Sequence, residues 1–223
     1  MTLEEFFGGW MQVIDKRELL KVMSVIELEY KKSIICPDQS NIFRAFKLCP
    51  YKELKVIMLG QDPYPQRNVA TGILFGNKKE KIELSPSLQI IQEACINYEV
   101  PHGIIDFDVT LESWATQGVL MLNSALTCIL GQVGSHTMLW RPFVSSLLKN
   151  LSNNNPGMVY VLFGSQAQTF LPYINKKVND IITVEHPAWF ARTNRKMPYH
   201  VFSDINNLIK GKYGTSIEWY KEY

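Results

Sequence analysis

Short apolar runs that stop abruptly mark the middle and the end of the chain. Lys55–Leu59, Gly118–Leu122, Met158–Phe163 and Asp180–Val184 are each followed at once by Gly, Asn or Glu. Runs that are apolar at successive positions, not alternate ones, are covered on both faces, as strands of a parallel sheet are. Helical periodicity separates them. Leu88–Ile96 precedes the second run, Met138–Leu151 lies between the second and third, Ser165–Ile174 lies between the third and fourth, and Ser203–Lys210 closes the pattern. Upstream, Leu19, Leu20, Met23, Ile26 and Tyr30 recur every three to four residues among Lys and Glu, with no proline before Pro37. The first 35 residues are therefore expected to be helical and to pack on the rest. With no repeat, low-complexity tract or long linker, residues 1–223 read as one domain, an α/β fold whose open sheet is covered by helices.

Composition narrows the class. With 46% hydrophobic and 20% charged residues, wholesale disorder and coiled coil are excluded. A net charge of +2 neither announces nor excludes a nucleic-acid partner, so any basic surface must come from local clustering. Cys36, Cys49, Cys95 and Cys128 are too widely spaced for a compact zinc or iron–sulfur motif. His102, His136, His186 and His200 show no close ligand spacing either, so no metal is expected. Reduced thiols, an N-terminus without a signal pattern and apolar runs too short for a bilayer lead us to expect no membrane association. The expected setting is cytoplasmic, or nuclear if the source is eukaryotic or viral.

The residues after each apolar run carry the chemistry. They are Gly60-Gln61-Asp62-Pro63-Tyr64-Pro65, then Asn123-Ser124, Gly164-Ser165-Gln166 and Glu185-His186-Pro187. In an open parallel sheet all four carboxyl ends lie on one edge, where ligands bind. An Asp, an Asn, a Gln and a His should therefore converge there. No G-x-G-x-x-G follows the first strand and no G-x-x-x-x-G-K-[ST] occurs, and the prolines of the first turn offer no N–H to a pyrophosphate, so no nucleotide cofactor is expected. Asp62 before Pro63 sits in a stiff turn. It reads either as a general base or as an Asp that caps its own backbone. Asn123 reads as a turn residue or as an amide for a base edge, and His186 as a loop anchor or as a member of the same site.

These segments, in order, resemble the family 1 uracil-DNA glycosylases. Residues 60–65 resemble the water-activating loop, and Ala70–Phe75 the segment with the uracil-stacking aromatic. Ser85-Pro86-Ser87 is similar to the DNA-backbone loop, Leu111–Thr127 to the uracil-reading stretch, and Gly134-Ser135-His136 with Trp140 and Leu162–Ala167 to the next two segments. His186-Pro187 opens what resembles the intercalating loop. The likeness spans residues 40 to 205. It implies a four-stranded parallel sheet flanked by helices in three α/β/α layers, and excision of uracil from single- or double-stranded DNA without a cofactor. By the same resemblance Asp62 orients water and His186 donates to uracil O2. Gln61, Tyr64, Phe75 and Asn123 hold the base. Pro63, Ser85, Pro86, Ser87, Ser135, His136, Ser165, Gln166, Pro187, Trp189, Phe190 and Arg192 face DNA. A monomer is expected, with a proteinaceous inhibitor or a replication factor as possible partners.

The chain departs from the family pattern at four places. Pro65 and Thr71 replace histidines, Ala188 replaces a phosphate-contacting serine, and Phe190, beside Trp189, replaces the wedge leucine of His-Pro-Ser-Pro-Leu-Ser. From Gly164 to His200, Lys176, Lys177, Arg192, Arg195 and Lys196 outweigh Asp180 and Glu185, a local excess of positive charge that suits phosphate. The altered loop leaves a second reading, a DNA-binding accessory or scaffold protein that keeps the fold with weak or lost activity.

Overall fold

The computed structural model describes residues 2–79, 83–97 and 103–223; His102 lies outside them. Its centre is a parallel sheet of four strands, β1 (Val56–Gly60), β2 (Val119–Asn123), β3 (Val159–Phe163) and β4 (Asp180–Val184). Their spatial order is β2-β1-β3-β4. Every residue of β1, β2 and β3 is buried, which is why those runs are apolar at each position. Strand β4, at the edge, is only half-buried. The first two strands begin one residue later than their apolar runs and end one residue later. As a result Gly60 and Asn123 close their strands side by side in register.

The N-terminal segment is two helical pieces, not one. Leu3–Phe7 runs into a 3₁₀ turn at Gly8–Gln12, and the Gly8 φ of 51° breaks the α-helical path. Helix α1 (Lys16–Tyr30) then starts at Asp15, whose carboxylate accepts from the N–H groups of Arg17 and Glu18. Its inward face is Leu19, Val22 and Ile26, whereas Leu20, expected on that face, is 57% exposed. Burying a side chain such as Ile26 is worth about 1.5–3 kcal/mol. The Trp10 indole N–H donates to the carbonyls of Phe46 and Cys49 and pins this segment to the body.

The layers that flank the sheet include α2 (Pro86–Cys95), α3 (Thr137–Asn154), α4 (Gly164–Gln168), α5 (Pro187–Thr193) and α6 (His200–Tyr213). The expected helix over Ser165–Ile174 divides into α4 and a 3₁₀ turn at Leu171–Tyr173. Pro172 lacks the N–H that would continue it. All four cysteines are free and buried. Among the described residues, no helix is long and apolar enough to cross a membrane.

Candidate active site

The turns after β1, β2, β3 and β4 border one cleft of about 510 Å³. Gln61, Asp62, Pro63, Tyr64, Phe75, Ser87, Asn123, Ser165, His186, Trp189 and Arg192 all line it. Residues more than 120 positions apart meet because the strands are parallel and leave the sheet on the same edge.

The first turn is held by its neighbours. The N–H groups of Ser124 and Ala125 donate to the carbonyls of Gly60 and Gln61 at 3.0 and 2.9 Å, and the Ser124 hydroxyl donates to Gln61 O. Gly60 has no room for a side chain, since a Cβ there would lie 2.2 Å from Leu74 Cδ1. Asp62 Oδ2 accepts the Gly134 N–H at 3.1 Å, while Oδ1 is buried without a hydrogen bond. Burial raises the Asp62 pKa, with the Gly134 N–H and the Gln61 amide pulling it back. Gly134 is a contact the sequence does not reveal, because a backbone donor leaves no side-chain signature. Gly131, on the same turn, donates its N–H to Pro65 O.

Phe75 and Tyr64 wall the cleft. The residues around Phe75 form a tight turn in which Phe75 itself adopts φ of 64°. The Thr71 hydroxyl braces that turn by donating to Gly76 O and accepting the Ile73 N–H. The Phe75 ring packs edge-on against Phe163 and His186. The Tyr64 hydroxyl reaches Phe75 O at 3.1 Å and Ser85 Oγ at 2.5 Å. Burial pushes its pKa up to about 12. Asn123, 9% exposed, closes β2 at the floor beside Gly60.

His186 caps α5. Its Nδ1 accepts the Ala188 N–H at 3.2 Å, so the neutral ring carries its proton on Nε2. Burial, helped by the Arg192 guanidinium, lowers its pKa to about 4. Gly164, at φ of 83°, lies against it: a Cβ there would come within 2.9 Å of His186 Cβ. Gly164→Ala is therefore expected to displace the imidazole, lowering kcat/KM about tenfold and reducing Tm, as steady-state kinetics and thermal melting would report.

Several residues expected to face DNA are placed elsewhere. Ser85 is buried and donates to Asn77 Oδ1, completing the network under Tyr64. His136 is 4% exposed, with Nδ1 bonded to the Thr127 hydroxyl, which in turn accepts the Trp140 indole N–H. Phe190 is 6% exposed and belongs to the hydrophobic core. The expected loop after His186 is the helix α5, which starts with Pro187 at its first position. Pro187 is buried. Ser135 is exposed, with its hydroxyl accepting the Ile129 N–H, while Pro86 and Ser165 are exposed and Gln166 half-buried.

This constellation agrees with what the whole chain resembles. The family model of the uracil DNA glycosylase superfamily matches residues 46–210. A uracil-DNA glycosylase of Alkaliphilus metalliredigens is 32% identical over 221 residues, covering 95% of this chain and 94% of that protein. One from Campylobacter jejuni is 37% identical over 193 residues, covering 83% of this chain and 79% of that protein. The crystal structure of mimivirus uracil-DNA glycosylase superposes with a TM-score of 0.75 at 23% identity, covering 98% of this chain and 93% of that one. With the family match spanning most of its length, and relatives above 30% identity along nearly all of it, the chain belongs to the uracil-DNA glycosylase superfamily.

Proposed function

We propose that this protein hydrolyses the N-glycosidic bond of uracil in DNA after flipping the nucleotide out of the stack, leaving an abasic site. The observation that carries the reading is the meeting of Asp62, Asn123 and His186 in one cleft walled by Tyr64 and Phe75. Bond cleavage builds positive charge on the sugar and negative charge on the departing base. The Asp62 carboxylate, held through Oδ2 by Gly134, faces the sugar and orients the water whose oxygen bonds C1′. His186 donates its Nε2 proton in a hydrogen bond to uracil O2 as that oxygen becomes anionic, and the Gln61 N–H adds a donor.

Recognition follows from pairing. The Asn123 amide accepts from uracil N3–H and donates to O4, whereas cytosine presents the opposite pair and leaves buried groups unmatched. Tyr64 stands where the thymine methyl would go, and Phe75 stacks on the ring. Asn123→Ala is expected to lower kcat/KM for uracil release by about 10- to 100-fold, the worth of two hydrogen bonds.

The residues assigned to catalysis and base recognition all come from a single copy of the chain, so the proposed chemistry calls for no second one. The four free, buried thiols support a reducing setting, cytoplasmic or nuclear. A mimivirus UNG variant has been solved in complex with UGI. The cleft mouth is the surface we assign to a protein inhibitor of this chain. The deciding experiment is incubation with a uracil-containing single strand and detection of free uracil. Absence of release at high enzyme concentration, with DNA binding intact, would leave only the scaffold reading.

A further inference from the structure

Two of the four cysteines face each other behind the turn that carries Asp62. The short strands Ile35–Cys36 and Cys128–Ile129 pair antiparallel, and their register sets Cys36 opposite Cys128. Opposed residues of an antiparallel pair send their side chains to one face from Cα atoms about 4.5–5.5 Å apart, within the about 4.4–6.8 Å that a disulfide spans. Both thiols lie in a small buried cluster with Ala70, against which Tyr64 packs. Both also hold the first turn. The Cys128 thiol donates to Pro63 O and the Cys36 thiol to Gln66 O, each at 3.6 Å. Burial, with Asp38 nearby, raises the Cys36 pKa, and burial beside Cys36 and Asp62 pushes that of Cys128 up to about 12. At rest both sulfurs therefore keep the proton they donate. They differ in access. Cys128 is 0% exposed, whereas Cys36 lines a recess of about 130 Å³ with Asp38, Gln66 and Arg67.

We infer that Cys36 and Cys128 form a site of oxidative modification, at which hydrogen peroxide closes a cross-strand disulfide that loosens the Asp62 turn and slows excision. The Cys36 sulfur, as thiolate, attacks one peroxide oxygen, the O–O bond breaks, and Cys36 becomes a sulfenic acid as water leaves. The Cys128 sulfur then attacks the Cys36 sulfur, the S–O bond breaks, and a second water leaves as the disulfide forms. Two thiols and one peroxide thus give one disulfide and two waters. The recess beside Cys36 suits a reactant of that size and not a tripeptide disulfide. A disulfide carries no S–H, so Pro63 O and Gln66 O lose both donors at once. Asp62 sits on the stretch those donors anchor, and a shift of about 1 Å in a catalytic group costs up to about 10²-fold in rate.

The purified protein would be treated with hydrogen peroxide and digested without reduction. Mass spectrometry should find the Cys36 and Cys128 peptides joined, and dithiothreitol should part them. Uracil release should fall about tenfold in kcat with KM within about twofold, and dithiothreitol should restore it. Cys36→Ser should keep its rate through the treatment, whereas Cys49→Ala should lose activity as the wild type does. The exposed Met138 serves as the internal measure of dose. Peroxide that converts Met138 to its sulfoxide without joining the two peptides would overturn the site, and so would a Cys36→Ser protein inactivated like the wild type. A joined protein of unchanged kcat would overturn the effect on the turn. The rate measurement rests on the excision reading, whereas the joined peptides are read by mass whether or not uracil is released, so loss of one reading is distinct from loss of the other.

Discussion

Asp62→Asn is expected to lower kcat for uracil release by about 10²- to 10⁴-fold while raising the thermal midpoint at neutral pH. The loss of rate follows from removing a positioned base and the negative charge facing the sugar. The gain in stability follows from burial. The native pKa of Asp62 lies above its unfolded value, so the folded state holds the proton more tightly, and the contribution of this residue to stability falls as pH rises through that range. At neutral pH the ionised carboxylate, with Oδ1 unbonded, is a destabilising group that the neutral amide relieves. Thermal melts across pH should show the variant ahead at pH 7 and the gap closing on acidification. A variant melting below the wild type at pH 7 would refute the assignment of burial as the dominant influence.

His186→Ala is expected to cost about 10²- to 10³-fold in kcat, the usual loss for one donor aimed at a developing oxyanion. Its pH dependence is the sharper test. With a native pKa near 4, the ring is neutral throughout the physiological range, so the wild-type rate should show no titration near the ordinary histidine value. Stability should behave in step. The unfolded chain takes up a proton near 6.5 and the native ring resists until about 4, so the wild type loses stability as pH falls between those values. His186→Gln should flatten that part of the curve. An inflection of the wild-type rate near pH 6.5 that vanishes in His186→Gln would show that the ring works as imidazolium.

The sheet and the meeting of its strand ends were legible in the sequence because unbroken apolar runs and abrupt polar stops are direct consequences of two-sided burial. Asp62, Asn123 and His186 could be placed in one cleft on topology alone. Leu20 went to the wrong side because two adjacent leucines both fit a helical stripe, and only the partner surface selects Leu19. The hydrogen bond from Gly134 to Asp62 was invisible, being a backbone contact across 72 residues. Phe190 was misplaced because a motif fixes a residue's position in the chain and not its backbone conformation, and in α5 that position faces the core. Ser85 and His136 show the same limit, since a hydroxyl or an imidazole that suits phosphate also suits a buried network.

The strand order also bears on synthesis. A nascent chain leaves the ribosome with Asp62 and Asn123 long before His186, and β4 can join the sheet only by pairing with β3. Every translation product that stops before residue 186 therefore lacks the imidazole. A chain ended upstream of β4 lacks both that strand and α5, so the wall of the cleft that carries His186, Trp189 and Arg192 is missing and uracil excision is lost with it.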